Sequence, residues 1–236
     1  MKTTSAVSLA LVAVISVSIV AAGGDAQDKQ APTVKIPQPG VPQIMTLEGQ
    51  YIRAAYNNEG YVILGYRVAN SSLGEEWMLL EFGSTVRDGV PNYTLTRDAV
   101  SLETPDGTTI SLAPVMEYRK ANLSALQNRA KIQRDSIDYF PPSVRQPCRV
   151  GFFSELDSRA MPFDQVELSY TRGCVGRLFF QVPGGIKYGQ HWLNVKFEKS
   201  LVRVPFRILT KDEEKLLSRN YKDIRKQVQD AFKKTS

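Results

Sequence analysis

The chain of 236 residues is long enough for one large domain or two small ones, and its formal net charge is +6. One histidine and two cysteines are too few for the common zinc sites built from histidine and cysteine ligands. The basic residues are scattered along the chain rather than gathered in a block, so this charge does not predict binding to nucleic acid.

The N-terminus has the pattern of a signal peptide. An uncharged apolar run at positions 6–22 is followed by Gly24 and Ala26, small residues that allow cleavage before Gln27. We therefore predict a signal peptide over residues 1–26 and a secreted or periplasmic protein. An uncleaved membrane anchor is the alternative, because an apolar run of about 17 residues is at the lower limit for spanning a bilayer.

A proline-rich linker is predicted over residues 27–44. Four prolines in this stretch each fix φ and remove a backbone donor, which disfavours both a helix and a central strand. The segment is therefore expected to be semi-extended and to separate the signal peptide from the folded domain.

Residues 45–209 have the pattern of antiparallel β structure. Positions 57–60 carry residue types that tolerate positive φ and predict a hairpin, and Pro105-Asp106-Gly107 predicts a second tight turn. Turn signals recur at short intervals, so we predict a sandwich of about nine or ten strands, with two small modules as the alternative. Pro205 places the last strand at a sheet edge or a bulge.

A helical insertion interrupts the strands at about residues 117–136. This stretch contains neither glycine nor proline, and Leu123, Leu126, Ala130 and Ile137 fall near one helical face. One amphipathic helix between the strands is therefore expected.

A second amphipathic helix is predicted over residues 210–236. Thr210 and Glu213 have the spacing of a capping box, in which each side chain bonds the backbone of the other. The apolar side chains at 217, 221, 224, 228 and 232 form one stripe, which is the pattern of a helix with one buried face.

The two cysteines, Cys148 and Cys174, are predicted to form a disulfide. An even cysteine count in an exported chain indicates disulfide bonding rather than a metal site or a catalytic thiol. A bond that closes a loop of this length contributes about 3–4 kcal/mol by the chain-entropy model. Free thiols are the alternative if the compartment is reducing.

The residues that could carry catalysis are His191 and the carboxylates Glu155, Asp157, Asp164 and Glu167. No nucleophile elbow, metalloprotease motif, calcium loop or phosphate-binding loop accompanies them. A strand-edge histidine and a solvated loop are therefore the favoured interpretations, and we predict no catalytic residue, metal or cofactor. A hydrolase that uses these groups is the alternative.

The stretches YVILGYRVANSS and AVSLETPDGTTISLA resemble the pattern of extracytoplasmic immunoglobulin-like domains. In such domains a long apolar strand ends in an Asn/Ser turn, and a later hairpin carries a turn of the PDG type. The resemblance implies an immunoglobulin-like β-sandwich, although the Cys…Trp…Cys spacing of antibody domains is missing. It implies nothing about function.

The sequence predicts a non-enzymatic exported protein whose partner is a protein or another envelope or extracellular component. Export, a β scaffold and the lack of a catalytic constellation motivate this prediction. A secreted hydrolase acting on polysaccharide or peptide is one alternative. Peripheral contact of the two basic helices with anionic lipid or glycan is another, although interleaved acidic residues favour helix packing within the protein.

Overall fold

The computed structural model describes residues 43–154 and 161–233. The predicted signal peptide at 1–26, and the predicted linker up to residue 42, lie outside the described residues. Within them, strand predominates over helix, which confirms the prediction of a mainly β protein with antiparallel sheets and a C-terminal helix.

The described residues form twelve strands, four α-helices and one short 3₁₀ helix. The strands are β1 (Ile44–Gly49), β2 (Ile52–Tyr56), β3 (Gly60–Gly65), β4 (Trp77–Val86), β5 (Tyr93–Thr96), β6 (Val100–Glu103), β7 (Thr109–Ser111), β8 (Gln146–Val150), β9 (Gln165–Leu168), β10 (Arg172–Gln181), β11 (Gly189–Lys196) and β12 (Leu201–Ile208). The helices are α1 (Arg67–Asn70), α2 (Val115–Lys120), α3 (Ser124–Ile132), α4 (Lys211–Lys233) and the 3₁₀ helix Arg97–Ala99.

The strands form three sheets. A six-stranded sheet has the order β1-β2-β3-β4-β10-β8, a four-stranded sheet has the order β12-β11-β6-β7, and β5 pairs with β9. All neighbouring strands are antiparallel except β8 and β10, which are parallel. Strand β12 lies at the edge of its sheet, as Pro205 predicts.

One hydrophobic core joins the two larger sheets. Its buried side chains include Leu64 and Phe82 from the six-stranded sheet and Leu193 and Val204 from the four-stranded sheet. Burying each such side chain contributes about 1.5–3 kcal/mol, so this shared core is the main source of stability. A smaller apolar cluster around Ile63 covers part of the opposite face of β2 and β3.

Both turns predicted from residue type are present. The Oδ1 atom of Asn57 accepts hydrogen bonds from the backbone N–H groups of Glu59 and Gly60, each at 2.9 Å, and closes the β2–β3 hairpin. Gly107 has φ of +83°, which glycine adopts readily, in the turn between β6 and β7. Local residue chemistry therefore predicts both turns.

The long strand expected from YVILGYRVANSS ends at Gly65, and the helix α1 follows it. Tertiary contacts override the strand pattern here. Val68 and Ala69 are buried in the core, and the Arg67 guanidinium pairs with Asp135 at 2.8 Å. A helical turn satisfies these contacts, because it places successive side chains in different directions.

The single helix expected at about 117–136 is in fact two short helices, α2 and α3. Ala121 has the extended conformation (φ −72°, ψ 139°) and ends α2. The break lets Tyr118 and Leu123 both reach the core. Leu126 and Ala130 are buried as the helical pattern predicts, and Ile137 is buried beyond the end of α3.

The C-terminal helix begins with the predicted capping box. The Thr210 N–H donates to Glu213 Oε2 at 2.9 Å, and the Glu213 N–H donates to Thr210 Oγ1 at 3.3 Å. Further along, Tyr221 donates to the Leu47 carbonyl, and Arg225 pairs with Glu48 of β1 at 3.1 Å. Helix α4 thus lies against β1, an edge strand. Among the described helices, none has the length and apolar character needed to cross a bilayer.

Candidate binding cleft

A cleft of about 300 Å³ lies between the six-stranded sheet and the helices α2 and α3. Strands β4, β8 and β10 supply its floor, through residues that include Glu81, Arg149 and Arg177. Glu81 lies between Leu80 and Phe82, which belong to the main core, so the alternation of the strand points it to the opposite face of the sheet. The cleft is therefore on the other face of β4 from Leu80 and Phe82, where Tyr118, Phe153 and Phe179 of the same apolar cluster also line it.

The floor of the cleft contains a buried ion pair. Arg177 of β10 and Glu81 of β4 are directly opposite each other in the sheet, and Arg177 Nε lies 3.1 Å from Glu81 Oε1. Glu81 is only 6% exposed. A buried carboxylate needs a charged or hydrogen-bonding partner, so Arg177 stabilises the charged form of Glu81.

The wall of the cleft is formed by Tyr118 and Gln127, from α2 and α3. Gln127 Nε2 donates to the Tyr118 hydroxyl oxygen at 2.8 Å, and the Tyr118 hydroxyl donates to the Ser154 carbonyl. The Tyr118 ring lies 4.9 Å from the ring of Phe153 and 4.8 Å from that of Phe179, measured between centroids. This packing fixes the wall against the sheet.

Arg134, just beyond α3, supplies an exposed charge to the cleft. It forms no hydrogen bond or ion pair with any described residue. The residues on both sides of it are anchored, because Arg129 pairs with Glu75 at 2.7 Å and Asp135 pairs with Arg67. The backbone at Arg134 is thus held in place while its guanidinium is available to a ligand.

The described lining carries three arginines, Arg134, Arg149 and Arg177, and one acidic residue, Glu81. The described lining is therefore cationic. A guanidinium group donates paired hydrogen bonds that match the geometry of carboxylate and phosphate, so the arrangement is suited to holding an anionic group. The described residues contain no cluster of three or more histidine, cysteine or acidic side chains that could hold a metal ion.

The disulfide predicted between Cys148 and Cys174 is confirmed. The two residues are direct partners on the parallel strands β8 and β10, with their Cα atoms 4.0 Å apart. Arg149 follows Cys148 by one position, and Arg177 follows Cys174 by three positions. The bond therefore ties together the two strands that carry two of the three cleft arginines.

A glycine allows β8 and β10 to approach closely at the same place. Gly176 is paired with Val150, and a Cβ atom at Gly176 would collide with the Val150 carbonyl. Any side chain at position 176 would thus displace β8 together with Arg149. The floor of the cleft depends on a small residue as well as on the disulfide.

The sequence suggested a histidine at a strand edge. In the structure, His191 is buried within β11. Its ring stacks on Phe206, its Nδ1 lies 3.1 Å from the Gly189 carbonyl, and its Nε2 is buried without a partner among the described residues. Burial lowers the pKa of His191 to about 4, so the ring is neutral at pH 7.

His191 also lines a second cavity, of about 210 Å³, together with Asp106 and Lys187. We refer to this space as the His191 cavity. Lys187 Nζ lies 3.4 Å from Asp106 Oδ2, so the charged groups of this cavity pair with each other. The charge of Asp106 acts on His191 and partly opposes the effect of burial on its pKa.

Of the carboxylates considered for catalysis, Asp164 and Glu167 are not among the described residues that line the arginine cleft or the His191 cavity. Glu155 and Asp157 lie outside the described residues. The backbone carbonyl of Asp164 accepts a hydrogen bond from the Arg97 N–H, and Glu167 Oε1 accepts one from Asn92 Nδ2 at 2.9 Å. Among the described groups, the sequence-based catalytic candidates are therefore separated.

The arginine cleft was not predicted from the sequence, although one signal pointed to it. Arg149 and Arg177 each stand within apolar strand segments, CRVGFF and GRLFF, where a charged side chain needs a partner or a function. Their convergence with Arg134 depends on the parallel pairing of β8 and β10 and on the path of α3.

Comparisons of the chain with protein-family models, with curated proteins and with solved structures give no match.

Proposed function

We propose that this protein is an exported, non-enzymatic binding module that holds an anionic group of another envelope or extracellular component in its arginine cleft. The observation that carries the proposal is the convergence of Arg134, Arg149 and Arg177 on one cavity with a single acidic residue in its described lining. Guanidinium groups bind carboxylate or phosphate through paired hydrogen bonds whose geometry matches these anions.

Export is supported by two independent features. The N-terminal residues have the charge, apolar run and small residues of a cleavable signal peptide. The Cys148–Cys174 disulfide is a bond that persists in oxidising compartments and is rare in the cytosol. We therefore assign the protein to the periplasm or the extracellular space.

We assign the domain to the immunoglobulin-like class of β-sandwiches. Two sheets of mainly antiparallel strands share one core, and the hairpin turn at Gly107 lies where the resemblance places a turn of the PDG type. Helices α2 and α3 would then be an insertion that adds a binding cleft to a common scaffold. Such scaffolds take their function from grafted surface features of this kind.

Binding is favoured over hydrolysis by the chemistry of the cleft. Its described lining includes neither histidine nor cysteine, and its one carboxylate, Glu81, is already paired with Arg177. A general base or nucleophile must be free to exchange a proton or attack a substrate. Cationic side chains that surround a paired acid are better suited to holding an anion.

The cleft is also favoured over α4 as the binding element. Two charged residues of α4 pair with the domain: Arg225 with Glu48, and the cap residue Glu213 with Arg207 at 2.8 Å. A helix that binds an anionic surface normally presents a one-sided basic face to it.

Calorimetric titration of the full chain with inorganic tripolyphosphate and with tricarballylate tests the proposal. Both are multivalent anions that can engage several guanidinium groups. We expect saturable binding that weakens as the salt concentration rises. Arg134→Gln should weaken it about tenfold, because a charge-assisted hydrogen bond is lost.

Arg219→Gln is the matched control, since it removes the same charge from an exposed site on α4. It should leave the affinity unchanged. Equal losses in the two variants would indicate a nonspecific effect of net charge. Absence of binding by the wild-type chain would overturn the proposal.

A further inference from the structure

The four most exposed large hydrophobic side chains of the described residues all lie on segments that border the arginine cleft. Their exposed fractions are 85% for Ile132, 75% for Met161, 63% for Phe163 and 60% for Met116. Water-exposed apolar side chains of this size are unfavourable unless a partner covers them, so a group of them marks an interaction surface.

Each of the four is connected to a lining residue of the cleft. Met116 is on α2 with the wall residue Tyr118, and Ile132 ends α3 two positions before Arg134. The Phe163 N–H donates to the Gly151 carbonyl at 2.7 Å, directly after the lining residue Val150, and Met161 precedes Phe163 by two positions. These four side chains are called the apolar rim below.

We propose that the occupant of the cleft is a polypeptide segment in which an acidic side chain is flanked by apolar residues. This inference rests on the proposed function and specifies its partner. The acidic side chain would bind the arginines, and the flanking residues would cover the apolar rim. Charge complementarity with the described lining, which has three arginines and one acidic residue, sets the sign of the partner.

The composition of the surface favours a polypeptide. Arginine, methionine and aromatic residues are enriched in protein–protein interfaces, and binding energy concentrates where such side chains cluster. Methionine adapts its shape to different apolar partners. A glycan or an inorganic anion would use the arginines alone and would leave the apolar rim exposed.

The arrangement of the rim also argues against a lipid acyl chain. The four side chains come from three separate segments, α2, the end of α3 and residues 161–163, and they are largely exposed to solvent. An acyl chain requires a continuous apolar channel that buries most of its surface. Separate apolar side chains are matched more closely by the separate side chains of a peptide.

Selection of a random dodecapeptide phage library on the immobilised full chain tests this inference. We expect enrichment of peptides that carry Asp or Glu flanked by apolar residues. The binding of an enriched peptide, measured by fluorescence polarisation, should weaken about tenfold in Arg134→Gln and also about tenfold in Ile132→Ser. Leu216→Ser, an exposed apolar site on α4, is the matched control and should bind as the wild type does.

The tripolyphosphate titration separates the two proposals. Ile132→Ser should leave tripolyphosphate affinity unchanged, whereas Arg134→Gln should weaken it. If tripolyphosphate binds but no peptides with an acidic residue flanked by apolar ones are enriched, this inference is wrong and the anion site remains. The same holds if Ile132→Ser leaves the affinity for an enriched peptide unchanged. If Arg134→Gln changes neither ligand, the proposed function fails as well.

Cosedimentation with vesicles of phosphatidylcholine and phosphatidylglycerol tests whether the apolar rim binds a lipid surface instead. The inference expects no cosedimentation of the full chain that depends on Ile132. Cosedimentation that Ile132→Ser abolishes, without peptide enrichment, would assign the rim to an anionic lipid surface and overturn the peptide assignment.

Discussion

The arginine cleft and the His191 cavity have similar volumes, about 300 and 210 Å³, but their polar groups differ in exposure and in pairing. In the cleft, Arg134 is exposed and held between two anchored neighbours. In the His191 cavity, the imidazole is buried and neutral, and Lys187 pairs with Asp106. Residue type made His191 a candidate for chemistry, yet it is Arg134 that carries an exposed charge not paired with any described residue.

The comparison leads to a division of roles. We expect groups such as His191 and the disulfide to contribute to stability, and groups such as Arg134 to contribute to the proposed binding. Substitution of His191 or Arg134 is expected to affect mainly one of these properties, whereas substitution of a residue that supports the cleft, such as Cys148 or Arg129, is expected to affect both.

Removal of the disulfide should have the largest effect on stability. Cys148→Ala with Cys174→Ala is expected to lower the free energy of unfolding by about 3–4 kcal/mol, because the unfolded chain regains its freedom. Urea denaturation of the oxidised wild type and the double variant measures this difference. Anion affinity should fall too, since the bond joins β8 to β10 beneath the cleft. Equal urea midpoints would show that the bond constrains neither state.

Lowering the pH should reduce the stability of the folded protein through the protonation of His191. Its pKa is about 4 in the folded protein against 6.5 in the unfolded chain, so the unfolded state binds more protons between these values. This contribution to stability is complete above pH 6.5 and is lost as the pH falls towards 4. At 1.36 kcal/mol per pKa unit, the loss amounts to about 3 kcal/mol.

His191→Phe isolates this contribution, because it keeps an aromatic ring against Phe206 and removes the titrating group. Near pH 7 the variant should lie within about 1 kcal/mol of the wild type, since it loses the bond to the Gly189 carbonyl. At pH 4.5 the variant should be the more stable of the two. Parallel pH profiles of unfolding for both chains would show that His191 is not the titrating group.

Local chemistry made several elements predictable from the sequence. The capping box of α4, the Asn57 turn and the positive φ of Gly107 depend on residues close together in the chain. The disulfide followed from cysteine number and predicted compartment. None of these predictions required knowledge of how the sheets pair.

Features that depend on distant contacts were missed. The strand pattern continued through Val68, but burial of α1 and the pairing of Arg67 with Asp135 ended the strand earlier. The cleft required the parallel pairing of β8 with β10, a register that no local pattern encodes. Three arginines on three separate segments became a site only when that pairing formed.

Loss of the α3 anchor should have an intermediate effect. Arg129 pairs with Glu75 and donates to the Ser71 carbonyl and to Ser72 Oγ. Because these groups are partly exposed, Arg129→Met should cost only about 1 kcal/mol of stability. Tripolyphosphate affinity should also fall, since α3 positions Arg134. Unchanged affinity, measured by calorimetry beside a urea titration, would mean that α3 does not position the arginine.

Arg134→Gln should have the smallest effect on stability, although it weakens tripolyphosphate binding about tenfold. Arg134 is exposed and forms no hydrogen bond or ion pair with a described residue, so its loss should change the free energy of unfolding by less than about 0.5 kcal/mol. His191→Phe should give the opposite result, with altered acid stability and unchanged affinity. Both variants can be compared by urea denaturation and calorimetric titration of the same preparations. If Arg134→Gln destabilises the protein by 1 kcal/mol or more, Arg134 has a structural role and the division between the two cavities is wrong.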